Sequence, residues 1–272
     1  MTDPTARIAV IGGSGLYTLF DPAESEQRRI ETPYGPALVT IGQLGGRTVA
    51  FLTRHGVDHS VAPHLINYRA NIWALASLGV TAILSSAAVG GVSPDYAPGS
   101  LVLTDQYIDR THGRADTFYT EGSVQHLASA DPFDPALHAL AAVALRGAGE
   151  TVIESGTVVV IQGPRFSTRA ESLWFRAAGA HTVNMTLYPE VPLAAELNIG
   201  TVNLSYVTDS DAGVAASEKQ GEELSAELVF ARLKEAQPRI VAALEAIIRS
   251  LPDDFAPRTL IDPAEVAKVL AQ

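Results

Sequence analysis

Three short stretches carry more chemistry than a folded core asks for. Gln162 to Ser172, QGPRFSTRAES, sets a guanidinium, a phenyl ring and hydroxyls side by side, and Asn184 to Glu190, NMTLYPE, adds an amide, a thioether, a hydroxyl and a carboxylate. Phe166 and Met185 suit a flat base and a sugar, while Arg165, Ser167 and Thr186 suit polar or anionic groups. The third stretch, Thr208-Asp209-Ser210-Asp211, spaces two carboxylates one residue apart. Carboxylates held close together can divide one proton and so keep an acid available near neutral pH. The same four residues would also make an exposed acidic turn or a helix cap.

Other segments point to an anion. Arg54-His55-Gly56 offers two donors, and the planar arginine fork matches phosphate oxygens. Gly12-Gly13-Ser14-Gly15 is a loop whose backbone N–H groups could cradle a phosphate, or a plain tight turn. Ser86-Ala87-Ala88-Val89-Gly90-Gly91 is small enough for a ligand to approach the backbone closely. A dinucleotide fingerprint fits poorly, because the third glycine of a frame starting at Gly13 falls on Thr18. A nucleophile elbow around Ser14 ends on Leu16 instead of glycine. His55, His59 and His64 lack a carboxylate at zinc-enzyme spacing, so no metal is expected.

The elements that must hold these residues follow from pattern. Ile8 to Ile11 reads as a buried strand, and Ala37 to Gln43 with Arg47 to Thr53 as a hairpin about Gly45-Gly46. A helix is predicted over 67–78, closed by Gly79, then strands over 81–85 and 101–104. The polar run from Arg110 to Pro132 has no period and is long for a bare loop, which suggests a lid, an interface arm or short irregular structure. Asp134-Pro135 caps an alanine-rich helix to about Arg146. Thr157 to Asn184 reads as strand, helix, strand, and Thr201 to Val207 as one more strand. An amphipathic helix over 224–250 should kink or split at Pro238, and Asp262-Pro263 should cap a last short helix in the 251–272 tail. The candidate residues then gather at strand exits, where α/β folds collect ligands.

Composition narrows the class. A chain of 272 residues accommodates one large α/β domain, 1–272, with neither an internal repeat nor a dividing linker. Nineteen basic against 30 acidic residues leave a net charge of −11, which disfavours nucleic acid and anionic membranes as partners. There is no cysteine, which removes disulfides, thiolate metal sites and a cysteine nucleophile. No apolar run reaches membrane-spanning length and no signal-like segment opens the chain, so a cytoplasmic protein is expected.

Taken together, Arg54 through Gly91, QGPRFSTRAES, NMTLYPE and TDSD resemble the methylthioadenosine phosphorylase branch of the purine nucleoside phosphorylases, from Ile8 to about Ser250. The resemblance implies a single α/β domain with a mixed, partly barrel-like central sheet flanked by helices. It implies a homotrimer that cleaves a purine nucleoside with inorganic phosphate and needs no metal or other cofactor. Carried over by residue, phosphate would meet Ser14, Arg54, His55, Ser86, the Ala87 backbone and Thr186, with Ser14 standing where relatives often have threonine. Phe166 would lie along the purine, Ser167, Asp209 and Asp211 would face its polar edge, and Met185 would pack under the ribose. His126 would reach a neighbouring subunit's 5′ pocket, and Ala226, Val229 and Phe230 would line the 5′ substituent. The small-residue stretch GVAASEKQGEE before those helix positions departs from the family pattern and leaves the 5′ group open. A 6-oxopurine phosphorylase, a nucleoside-binding protein without catalysis and an NAD-dependent oxidoreductase are the competing readings.

Overall fold

Ile8–Gly12 (β1) is buried at every position, and its alternation divides the core in two. Ile8 and Val10 join one apolar cluster while Ala9 and Ile11 join the other, the signature of a strand covered on both faces. In the computed structural model, which describes residues 5–56, 58–213 and 225–272, β1 lies between two parallel neighbours. The strands in chain order are Glu26–Ile30 (β2), Ala37–Leu44 (β3), Arg47–Thr53 (β4), Ala82–Gly91 (β5), Leu101–Thr104 (β6), Gln106–Arg110 (β7), Val152–Ile153 (β8), Thr157–Ile161 (β9), Thr182–Asn184 (β10) and Gly200–Ser210 (β11). All belong to one mixed sheet of 11 strands, with the path β2-β3-β4-β1-β5-β10-β9-β7 and a branch from β5 through β11 to β6 and β8.

Helices cover both faces. Pro135–Gly147 (α2) and Ala226–Ser250 (α5) contribute Leu137, Leu145, Leu244 and Ile247 to the cluster that holds Ile8 and Val10. Tyr68–Ser77 (α1), Leu187–Glu196 (α4) and Pro263–Leu270 (α6) bring Ile72, Leu75, Leu193 and Val269 to the other. Arg169–Ala177 (α3) packs Phe175 over Val159 and Val183. Several of these side chains are fully buried, and each such Leu or Ile contributes about 1.5–3 kcal/mol relative to exposure. Helix starts follow the local chemistry: Asn67, Asp134 and Asp262 cap as their sequence context implies, and Thr168 with Glu171 forms a complete capping box. Among the described residues no helix is long and apolar enough to cross a membrane.

Three sequence expectations change, and two elements were not anticipated. The strand expected over 81–85 runs on to Gly91, because β11 pairs with β5 along its whole length and keeps Ser86 to Val89 extended. β11 likewise continues past Val207 to Ser210, with a register shift between Val207 and Asp209. α5 is a single helix through Pro238: Leu233, Ala236, Ile240, Ala243 and Ile247 keep one buried stripe on both sides of the proline, which itself lies on the exposed face. β2 and α4 carry no clear pattern, β2 because it is an exposed edge strand and α4 because two prolines obscure its period. The run expected to be irregular from Arg110 to Pro132 starts one residue later, because Arg110 ends β7; the rest forms neither helix nor strand, yet Glu196 accepts from Thr117 Oγ1 at 2.6 Å and from Phe118 N at 2.7 Å.

A proline inside a helix forfeits one backbone hydrogen bond, here to the Lys234 carbonyl. Pro238→Ala is therefore expected to raise the stability of the folded chain by roughly 1–3 kcal/mol. An unchanged or lower urea midpoint would show that the helix bends at Pro238 to advantage.

Candidate active site

The branching of the sheet makes the cleft. β1 follows β5 only as far as Ser85, and β10 meets β5 only at Gly90 and Gly91. Between those points β5 has β11 on one edge and open space on the other. There a cleft of about 340 Å³ is floored by Ala87, Ala88, Val89 and Gly90. The exits of β1, β4, β9 and β10 bring Ser14, Arg54-His55, Phe166-Ser167 and Met185-Thr186 to its walls.

At one end stand hydrogen-bond donors. Gly13 packs so tightly that a Cβ would sit 2.5 Å from the Ser86 carbonyl, and its N–H donates to Ser86 Oγ at 3.2 Å. Arg54, only 3% exposed, forks onto Glu190 with Nε at 2.6 Å and Nη2 at 2.8 Å, and Nη1 donates to Ser86 O at 3.0 Å. Burial alone would pull the Arg54 pKa down, but the Glu190 charge and hydrogen bonds reverse the sign, so it is held above its ordinary value. Three of its five N–H groups are spent on these contacts, leaving two. His55 Nδ1 donates to Val61 O at 2.9 Å, and burial, aided by Arg54 and His59, lowers its pKa to about 4. Thr186 precedes α4 without capping it, so its buried hydroxyl stays available.

At the other end the groups are acids. The register shift at Thr208 re-aims the strand so that Thr208 and Asp209 both reach the cleft. Thr208 Oγ1 donates to Asp209 Oδ1 at 2.7 Å, and Arg232 on α5 donates to Thr208 O at 2.6 Å. Burial raises the Asp209 pKa to about 6 against the lowering hydrogen bond from Thr208, with the charge of Asp211 adding to the rise. Burial also raises Asp211. Asp211 Oδ2, Ser167 Oγ and the Asn184 amide nitrogen are buried without a protein partner, and all three residues line the cleft. Buried polar atoms of this kind ask for a ligand or water. Gly90 makes room for the pair, since a Cβ there would lie 3.0 Å from Asp211 Cβ and 3.1 Å from Asp209 Oδ2.

Of the residues singled out from sequence, Ser14, Arg54, His55, Ala87, Phe166, Ser167, Met185, Thr186, Asp209, Asp211, Ala226, Val229 and Phe230 all line this one cleft. Ser86 is not among the lining residues; it lies next to them, where its hydroxyl oxygen accepts from Gly13 N and its O–H remains free to donate. His126 is exposed on the 111–132 segment and does not line the cleft of its own chain. The stretch GVAASEKQGEE, beyond Gly213, falls outside the described residues. Sequence reasoning missed Glu190 as the partner of Arg54, and it missed Arg114. Arg114 bonds Gln162 O at 3.0 Å, Gln162 Oε1 at 3.3 Å and the Tyr188 carbonyl, tying the two motif loops together. It also missed His59, which lines the cleft with its ring centroid 5.1 Å from that of Phe230. A polar residue inside an otherwise apolar helix was the available signal for Glu190; Arg114 offered none.

The family model described as the phosphorylase superfamily matches residues 7–249. An S-methyl-5′-thioadenosine phosphorylase of Mycolicibacterium smegmatis is 48% identical over 246 residues, covering 88% of this chain and 91% of that one. A purine nucleoside phosphorylase of Streptomyces coelicolor is 47% identical over 223 residues, covering 78% and 79%. Among solved structures, a methylthioadenosine phosphorylase from Schistosoma mansoni in complex with adenine superposes with a TM-score of 0.82 at 33% identity, covering 89% and 91%.

Asp209 gives the cleft a measurable pH signature. Its pKa of about 6 lies above the ordinary 3.8, so the folded state holds a proton that the unfolded chain releases earlier. Stability contributed by the neutral acid is intact at pH 4 and is lost as pH climbs to about 6. The advantage of Asp209→Asn over the unmodified protein should therefore grow by on the order of 2–3 kcal/mol between about pH 4 and pH 7. Urea denaturation of both proteins at the two pH values measures it; a difference that does not change with pH would place the raised acid elsewhere.

Proposed function

Because the chain belongs to the phosphorylase superfamily, we propose that it is an S-methyl-5′-thioadenosine phosphorylase. It would cleave 5′-substituted adenine nucleosides with inorganic phosphate to adenine and the 5-substituted ribose 1-phosphate. The observation that carries this is the polarity of the cleft, with anion donors at one end and two buried acids of raised pKa at the other. Breaking an N-glycosidic bond moves electrons onto the base while positive charge grows on the sugar, and a catalyst gains by stabilising both ends of that separation. Asp209 is suited to give a proton to purine N7. Phosphate held by Ser14, Arg54, His55, the Ala87 backbone and Thr186 sets negative charge beside C1′ and supplies the attacking oxygen. Phe166 and Met185 offer the base and ribose their apolar surfaces, and Ser167 and Asp211 bring unpartnered polar atoms to the base edge. Ala226, Val229 and Phe230 give the remaining wall an apolar character that fits a methylthio group better than a hydroxyl.

The base edge favours a 6-aminopurine. An adenine offers an acceptor at N7 beside an amino donor, and a protonated and an ionised carboxyl match that pair. A 6-oxopurine would set a carbonyl against a carboxylate. Phosphate serves as co-substrate, with no cofactor in the scheme. The working form is proposed to be a soluble cytoplasmic homotrimer, in which His126, exposed together with Val124 on the long polar segment, reaches a neighbour's 5′ pocket. Light scattering that found a fully active monomer would remove that part of the proposal.

Incubation with methylthioadenosine should release adenine in phosphate buffer and almost none in its absence; equal release without phosphate would make the reaction hydrolysis. Asp209→Asn should lose about 10²-fold or more on adenine nucleosides, the scale on which a lost polar contact in the transition state is felt, while gaining ground on inosine. Inosine turnover by the unmodified protein matching that of methylthioadenosine would remove Asp209 and Asp211 from the base edge.

A further inference from the structure

Within the phosphorolytic reading, the chemistry of His55 decides which anion the cleft takes. A backbone carbonyl can only accept, so the Nδ1 that lies 2.9 Å from Val61 O carries a hydrogen. A neutral imidazole has one N–H, and with that hydrogen committed its Nε2 bears a lone pair. Burial opposes a second proton, the ring being 5% exposed, and so do Arg54 beside it and His59, whose ring centroid lies 4.5 Å away; together they outweigh the hydrogen bond to Val61 O, which favours it. His59 is itself held by the Tyr17 hydroxyl at 3.1 Å. Nor does Arg54 bring surplus charge, because Glu190 neutralises it at 2.6 Å in a buried pair. Among the described residues, the anion end therefore combines N–H donors and hydroxyls, which can donate or accept, with one nitrogen that can only accept, and its guanidinium is already paired.

We infer that His55 Nε2 accepts a hydrogen bond from a P–OH group, so that the site selects a tetrahedral oxyanion that carries a proton over one of equal shape and charge that carries none. Monohydrogen phosphate meets this requirement and sulfate does not. The same contact persists through the reaction. A phosphate oxygen forms its bond to C1′, the C1′–N9 pair leaves with the base, and the base takes a proton from Asp209. The P–OH keeps its hydrogen bond to His55 Nε2, which stays neutral, so the sugar phosphate is formed as a monoanion. That monoanion gives its proton to solvent, and the Asp209 carboxylate regains one from solvent.

The test uses the full-length protein at about pH 7.5 with methylthioadenosine as substrate. Arsenate, which carries a proton there, should replace phosphate in adenine release. Sulfate should compete with phosphate at least about tenfold more weakly than arsenate does, since it opposes an acceptor to an acceptor. In His55→Gln, whose amide can turn either an N–H or a C=O to the anion, that gap should shrink to less than about threefold. If the variant is inactive, the ratio of phosphate to sulfate needed to raise its melting temperature gives the same comparison. Sulfate competing as well as arsenate, or a gap that persists in His55→Gln, overturns the inference and leaves phosphorolysis standing. No adenine release with either phosphate or arsenate would overturn the phosphorolytic reading, and this inference with it.

Discussion

β5 is the strand on which the rest of the molecule depends, because it must satisfy three neighbours in ten residues. β11 takes one edge throughout, and the other edge is passed from β1 to β10 with an interval between them. A buried backbone edge without a partner is costly, and proteins leave one only where something else will meet it. The interval is where the cleft lies. Its composition follows from that duty: Ser86 to Gly91 carry small side chains because loop walls, the two acids and a ligand must all approach the same backbone. At Gly91 even a methyl would meet the Tyr96 carbonyl at 2.2 Å.

Into this interval the fold sets a charge that is already cancelled. The Arg54–Glu190 pair is nearly dry, with side chains 1% and 5% exposed, and burying two ions returns little net stability even with good geometry. Its value is positional. Glu190 fixes the guanidinium plane, so the two remaining N–H groups have one direction to point, and a ligand need not spend affinity on ordering them. Arg114 does the comparable work for the loops, bonding carbonyls that precede Gly163-Pro164 and Pro189-Glu190 from a segment that has no regular structure of its own.

What the sequence disclosed and what it withheld separate along one physical line. Local chemistry was legible: Asp134 and Asp262 cap where side-chain reach dictates, and Ile8 to Ile11 alternates between two cores because both faces are buried. Candidate residues at the exits of β1, β4, β9 and β10 were legible because loops rarely gather such groups without use. The extension of β5 and β11 was not, since glycines and a Thr-Asp-Ser run look like a stop, and only pairing between strands more than a hundred residues apart keeps them extended. Pro238 misled for the converse reason: its local penalty is real, but a buried stripe from Leu233 to Ile248 outweighs one missing hydrogen bond. Glu190 and Arg114 act through tertiary contacts alone.

The two ends of the cleft share a principle that neither reveals by itself. Burial raises the Asp209 pKa to about 6, burial and the neighbouring Arg54 and His59 hold His55 neutral, and Glu190 pairs with Arg54, so the cleft presents the guanidinium without surplus positive charge. A site charged in advance would bind ground-state anions and bases tightly and gain nothing in the step that matters. In the proposed reaction the charges appear in a largely buried site where each is felt strongly: electrons on the base beside Asp209, and a cationic sugar beside phosphate. The protein's −11 net charge works in the same direction, since attraction of anions to the surface as a whole is weak and their discrimination falls to the local donors and acceptors of the cleft.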